Sequence, residues 1–161
     1  WEKYISSAME TLDWKKPAQT KDQLFSTEDP TVELPHPSDK KRRGTNPRVF
    51  SGAIASSNEL LKNPLKRDAL RDKQGVRAIE METSGIADAT WVAERGYLGI
   101  RGICDYCDTY KNYEWQEYAA VVAAFASVGW NSAWAADPQA RRRAAHWWRA
   151  CHECLRTLMI W

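Results

Sequence analysis

Three short apolar runs, each ending in polar residues, constrain this chain more than any other feature. They are RVFSGAIAS at 48–56, VRAIEME at 76–82 and LGIRGIC at 98–104. A helix-length segment follows each of the first two. Ser56, Ser57 or Asn58 is positioned to cap a helix running through Leu60, Leu61, Leu65 and Leu70, and Thr83 or Ser84 to cap one through Ile86, Ala89 and Val92 that Gly96 would end. Strands alternating with short helices predict parallel neighbours joined by crossovers, hence an α/β sheet with helices on its faces. A fourth segment, KNYEWQEYAAVVAAFASVG at 111–129, places Trp115, Tyr118, Ala119, Val122, Ala123 and Ala126 on one helical stripe, with Gly129 as its expected stop.

The flanks read differently. Residues 1–12 carry an amphipathic helical pattern in which Ile5, Ala8, Met9 and Leu12 share a face, and the chain opens on Trp1, as a fragment would. Residues 13–47 hold Pro17, Pro30, Pro35, Pro37, Pro47 and the basic run KKRR at 40–43, which predicts a long loop or insertion. That basic run fits either a nuclear signal or a solvated loop, the commoner case. Beyond Gly129, Trp130, Trp134, Trp147, Trp148, Trp161 and the triplet Arg141 to Arg143 make an atypical helical tail. Asp137 and Pro138 form a good start for a basic amphipathic helix in it, suited to a membrane surface, to a partner or to covering the sheet.

Composition narrows the classes further. With 161 residues, 43% hydrophobic and 27% charged, the chain is long enough for one globular core. The net charge of +2 gives no ground for a nucleic-acid partner. No apolar run reaches the roughly eighteen residues of a membrane span and no leader pattern opens the chain, so an intracellular, cytoplasmic protein is expected. The pairs Cys104/Cys107 and Cys151/Cys154 have C-x-x-C spacing, but zinc ribbons separate such pairs by about 15 to 20 residues. Here the gap is more than twice that, so no metal site is expected. His36, His146 and His152 need no functional role.

The polar strand ends are the candidate site. Ligands of open parallel sheets bind beyond the carboxyl ends of the strands. Glu80 and Glu82 close the second run, Asp105 follows the third, and Ser56 and Asn58 end the first. If the second and third strands are neighbours, Glu82 and Asp105 overlook one crevice, a small-molecule site. Taken alone, the two glutamates at a strand end read first as a solvent-facing edge, and Asp105 and Asp108 as plain loop acids or helix caps.

The ordered blocks GAIASSNELL, AIEMETSGIA, IRGICDYCD and NYEWQEYAAVVAA, spanning about residues 48 to 127, resemble the nucleoside phosphorylase and nucleosidase superfamily. This includes purine and uridine phosphorylases and methylthioadenosine/adenosylhomocysteine nucleosidases. The segment KDQLF, the long insertion and the wording IRGICDY are similar to its fungal branch, where the domain often precedes ankyrin, tetratricopeptide or nucleotide-binding modules. The resemblance implies a three-layer α/β/α phosphorylase-like fold with a mostly parallel central sheet, truncated at its N-terminal half. The core would then be residues 48–128 and the tail 129–161.

The resemblance also implies roles. Glu82 would accept hydrogen bonds from the ribose 2′ and 3′ hydroxyls and Met81 pack on the sugar, with Glu80 beside them on the same strand face as Glu82. Asp105 would protonate or hydrogen-bond the purine N7, and Leu60 and Leu61 would line the base pocket near Ser56. Cys104 and Cys107 would be small residues at the pocket edge. The expected activity is cleavage of the N-glycosidic bond of a purine-type nucleoside. No cofactor is implied beyond inorganic phosphate as co-substrate in a phosphorylase. Positive charge builds on the sugar and negative charge on the leaving base, so a carboxylate by the ribose and a protonated acid by the base lower the barrier together. Members carry a glycine-rich phosphate loop in the first half of the domain, and no G-x-G occurs here. Phosphorolysis and hydrolysis therefore stay undivided. The alternative is a non-catalytic nucleoside-sensing or assembly module of a larger fungal signalling protein. Family members commonly form homo-oligomers.

Overall fold

The computed structural model describes Ile5, Ser7, Glu10 and residues 15–36, 38–42, 46–93, 97–136 and 157–160. The fold is mixed α/β. A hairpin of β1 (Leu24–Phe25) and β2 (Glu33–Leu34) stands apart from a four-stranded sheet of β3 (Val49–Ser56), β4 (Val76–Glu80), β5 (Gly99–Gly102) and β6 (Thr157–Ile160). Helices α1 (Pro64–Gln74), α2 (Thr83–Val92) and α3 (Gln116–Ala136) follow β3, β4 and β5.

β3 and β4 form the expected parallel pair, with Ser56 in register with Glu80. Their connecting helix starts later than the leucine pattern suggests. Pro64, with no amide hydrogen to place, occupies the first turn, and the Asn63 side chain accepts the Lys66 amide at 3.1 Å. Leu60 and Leu61 therefore lie in the lead-in rather than in the helix. Gly75 closes α1 in the left-handed conformation at φ 67, donating its amide to Arg71. Along β4, buried Val76 and Ala78 alternate with exposed Arg77, the period of a strand with one covered face.

The third run does not join β4 as expected. The sheet order is β4-β3-β6-β5, so two strands separate β4 from β5. β6 runs antiparallel to β3 and parallel to β5. Its sequence, TLMI, belongs to the segment expected to be a helical tail. Branched and apolar residues favour a strand wherever an unpaired edge is available to them. Residues 137–156, including the Arg141–Arg143 triplet and Cys151/Cys154, fall outside the described residues, as does Gly96.

The core forms between α3 and the sheet. Tyr118, Val122 and Ala126 are buried together with Ile5, flanked by Val49, Ile100, Trp115 and Phe125. This is the stripe read from the sequence, with Ala123 half-buried at its margin. Burying a side chain such as Val122, 2% exposed, contributes about 1.5–3 kcal/mol. Gly129 does not stop the helix. It lies seven residues beyond Val122, on the same buried face, and α3 continues to Ala136. Gly102 sets how closely β5 approaches α3: a Cβ there would lie 2.0 Å from the Ala119 carbonyl oxygen. Among the described residues no helix is long and apolar enough to cross a membrane.

Candidate functional site

The carboxyl edge of the β3–β4 pair is locked before it presents anything to solvent. Glu80, with its side chain 8% exposed, accepts the backbone amides of Glu82 and Thr83 at 3.0 Å. The Ser56 hydroxyl accepts the Ser84 amide at 2.9 Å. The amides left over at the start of α2 are thus met by side chains from two strands, and a carboxylate sits at the positive end of the helix. Sequence reading gave this task to Thr83 or Ser84. Instead Glu82 occupies the N-cap position and makes no side-chain capping bond. A glutamate two residues earlier, at the end of the strand, has the length to reach over the turn.

Arg101 on β5 completes the cluster. Its guanidinium Nη2 bonds the Glu80 carboxylate, donates to Thr83 Oγ1 at 3.2 Å and pairs with Glu82 Oε2 at 3.0 Å. Burial works against ionisation of Glu80. Hydrogen bonds from the Ser56 and Thr83 hydroxyls and from the Glu82 and Thr83 amides outweigh it and bring the pKa down to about 2. The two glutamates therefore divide their work. Glu80 is a capping anion inside the fold, whereas Glu82, its side chain 66% exposed, and Met81, 38% exposed, face outward. Leu60 is exposed and Leu61 half-buried in the segment leaving β3.

Asp105 sits in other surroundings. Its side chain is 10% exposed, with Oδ2 paired to Lys111 Nζ at 2.8 Å. Oδ1 accepts the Cys107 amide at 2.9 Å, and the Cys104 thiol donates to Oδ2 at 3.4 Å. Cys107 adopts φ 55, the left-handed conformation that turns its amide back toward Asp105. Burial favours the neutral acid, but the Lys111 ammonium and the Cys107 amide prevail and hold its pKa below the ordinary carboxylate range. Burial, then the Asp105 charge, pushes both thiols up to about 11, so they stay protonated at neutral pH. Among the described residues no group of His, Cys, Asp and Glu has the makings of a metal site.

A cavity of about 30 Å³ lies beside Asp105, lined by Lys16, Asp22, Tyr106, Trp115, Tyr118 and others. Such a volume holds about one water. Its lining includes none of Ser56, Leu60, Leu61, Met81 and Glu82. β3 and β6 lie between β4 and β5 in the sheet, so Glu82 and Asp105 do not follow adjacent strands, although Arg101 on β5 reaches Glu82.

The predicted long insertion is a fastened strap. The Tyr106 hydroxyl donates to Asp22 Oδ1 at 2.6 Å, and its oxygen lies 3.3 Å from His36 Nδ1. Trp115 Nε1 donates to the Lys21 carbonyl and the Tyr110 hydroxyl to that of Pro30, while Phe25 stacks on Tyr110 at 4.2 Å. Arg67 on α1 bonds Thr27, and Thr27 bonds Asp68. Arg101, Lys111 and Asp22 escaped the sequence reading. Arg101 did leave a signal of the same kind as Glu80: a charge inside an apolar strand must find a partner.

No family model matches the chain, and no solved structure does. A curated relative, a "Nucleotide-binding leucine-rich repeat (NLR)-like protein" of the fungus Hyaloscypha variabilis, is 41% identical over 85 residues, which are 53% of this chain and 8% of that protein. The chain thus corresponds to a small part of the relative it matches.

Proposed function

We propose that this chain is the C-terminal half of a nucleoside phosphorylase-like domain within a larger protein, and that it binds a purine-type nucleoside without cleaving it. The observation that carries this reading is the locked carboxyl edge of β3–β4, which presents Glu82 and Met81 outward while Glu80, Ser56 and Arg101 hold the edge in place. An exposed carboxylate held by an arginine suits a pair of sugar hydroxyls, which donate hydrogen bonds to it. The unbranched, polarizable side chain of a methionine suits the sugar ring beside it. Asp105 favours binding over catalysis. Paired with Lys111, it carries no proton to give a departing base at neutral pH. The name of the fungal relative fits a sensing or assembly module in a multidomain protein.

Cleavage of the N-glycosidic bond, by phosphorolysis or hydrolysis, is the second reading. It is favoured by the burial of Asp105, the setting in which a carboxylic acid regains its proton once its cation is displaced. Incubating the full-length protein with adenosine, with and without inorganic phosphate, and measuring bound nucleoside and released base separates the two. Binding without base release supports the first reading. Base release that Asp105→Asn abolishes supports the second, and neither binding nor release overturns both.

A further inference from the structure

We infer that Arg67 is a positioning residue for Asp105: by gripping the Tyr106 carbonyl it turns the Cys107 amide onto the Asp105 carboxylate. The inference rests on the nucleoside reading, in which Asp105 faces the base, and names the residue that governs the state Asp105 presents there. The Arg67 side chain is 19% exposed and uses three separate nitrogens. Nε donates to Asp68 Oδ1 at 2.8 Å, Nη1 to the Tyr106 carbonyl at 2.9 Å and Nη2 to Thr27 Oγ1 at 2.8 Å. One planar group thus joins α1, the strap and the loop after β5. Peptide geometry carries the effect onward. The Tyr106 carbonyl and the Cys107 amide belong to one trans peptide unit, whose C=O and N–H point in opposite directions. Holding the carbonyl toward Arg67 therefore aims the amide away from it, and that amide meets Asp105 Oδ1 at 2.9 Å. A residue with a side chain keeps a φ of 55, as Cys107 does, only where fixed contacts around it demand it. Burial and the Asp105 charge push the Cys107 thiol up, and the Arg67 charge is among those opposing them. The other charged and titratable groups around Asp105 are Lys111 and the Cys104 thiol on its Oδ2, with Lys16 and Asp22 across the small cavity. Lys111 supplies the cation and Cys107 the fixed amide. Of these, the amide is the contribution that Arg67 sets.

The experiment follows the Asp105 carboxyl carbon and the Cys107 amide by NMR as the pH is lowered, in the full-length protein labelled selectively at aspartate and cysteine. In the wild type the Cys107 amide shift is expected to track the Asp105 titration, because the two share a hydrogen bond. Arg67→Met and Arg67→Lys should each raise the Asp105 midpoint by about one pH unit, the order for removing one backbone amide from a carboxylate. Exchange of the Cys107 amide should quicken by about tenfold or more. Arg67→Lys keeps a positive charge beside the loop but not the rigid fork, so it separates positioning from charge and serves if Arg67→Met fails to fold. Thr27→Val frees Nη2 from the strap while Nη1 stays on Tyr106, and should leave both readouts unchanged. An arginine that merely tethers the strap would move neither. Unchanged Asp105 and Cys107 signals in both Arg67 variants overturn the inference, as do equal changes in Thr27→Val. Titrating the wild type with adenosine tests the nucleoside reading separately: absence of binding overturns that reading, whereas the Asp105 and Cys107 signals decide the role of Arg67.

Discussion

Replacing Glu80 by glutamine removes one charge from the most connected position in the sheet edge. The folded-state pKa lies below the ordinary value of 4.5, at about 2. The carboxylate therefore stabilises the fold at pH above 4.5, and this stabilisation fades as the pH falls toward 2. At about 1.4 kcal/mol per pKa unit, the gap is worth roughly 3 kcal/mol at neutral pH. Part of this survives in Glu80→Gln, because the amide oxygen still accepts one of the backbone bonds at 3.0 Å, so about 2–3 kcal/mol is expected. Urea unfolding of wild type and variant, followed by circular dichroism from pH 7 to pH 2, measures it. With a slope of about 1–3 kcal/mol per molar urea, the midpoints should differ by roughly 1 M or more at pH 7 and converge near pH 2. A difference under about 0.5 kcal/mol at pH 7, within the scatter of ordinary surface substitutions, or one that does not change with pH, would refute the capping role.

Other consequences follow from the same contacts. Gly102→Ala drives a methyl group to 2.0 Å from the Ala119 carbonyl oxygen. Because the obstacle is backbone, a loss of about 3 kcal/mol or more is expected, read as a collapse of the unfolding midpoint. Tyr106→Phe deletes the 2.6 Å bond to Asp22 and should cost about 1–2 kcal/mol. Limited proteolysis should then cut within residues 15–36 sooner than in the wild type. Lys111→Met leaves Asp105 buried without its cation, and its pKa should rise, measured by carboxyl-carbon NMR titration. An unchanged titration would show that Lys111 does not control that proton.

The sequence revealed the parts whose signals are local. The strand-helix-strand unit of β3, α1 and β4 was legible because period-two burial and turn residues are written within a few positions, and the buried stripe of α3 because helical spacing is too. Partnerships across the chain were not. β6 comes from a segment that read as helical tail, and the edges of β3 and β5, both distant in sequence, give TLMI the strands it joins. Gly129 looked like a stop because glycine ends many helices, yet here it continues the packed face. Glu80 and Glu82 were indistinguishable by type and spacing. Hydrogen bonds from the Ser56 hydroxyl and the Glu82 and Thr83 amides to Glu80 alone divide them into a structural anion and an outward-facing one.

The most direct test of the account is equilibrium titration of adenosine into the full-length protein carrying either glutamate or alanine at position 82. The account predicts saturable binding in the wild type that weakens by about tenfold or more in Glu82→Ala, as expected for losing hydrogen bonds to a charged acceptor. Equal binding by the two proteins, or none by either, would contradict it.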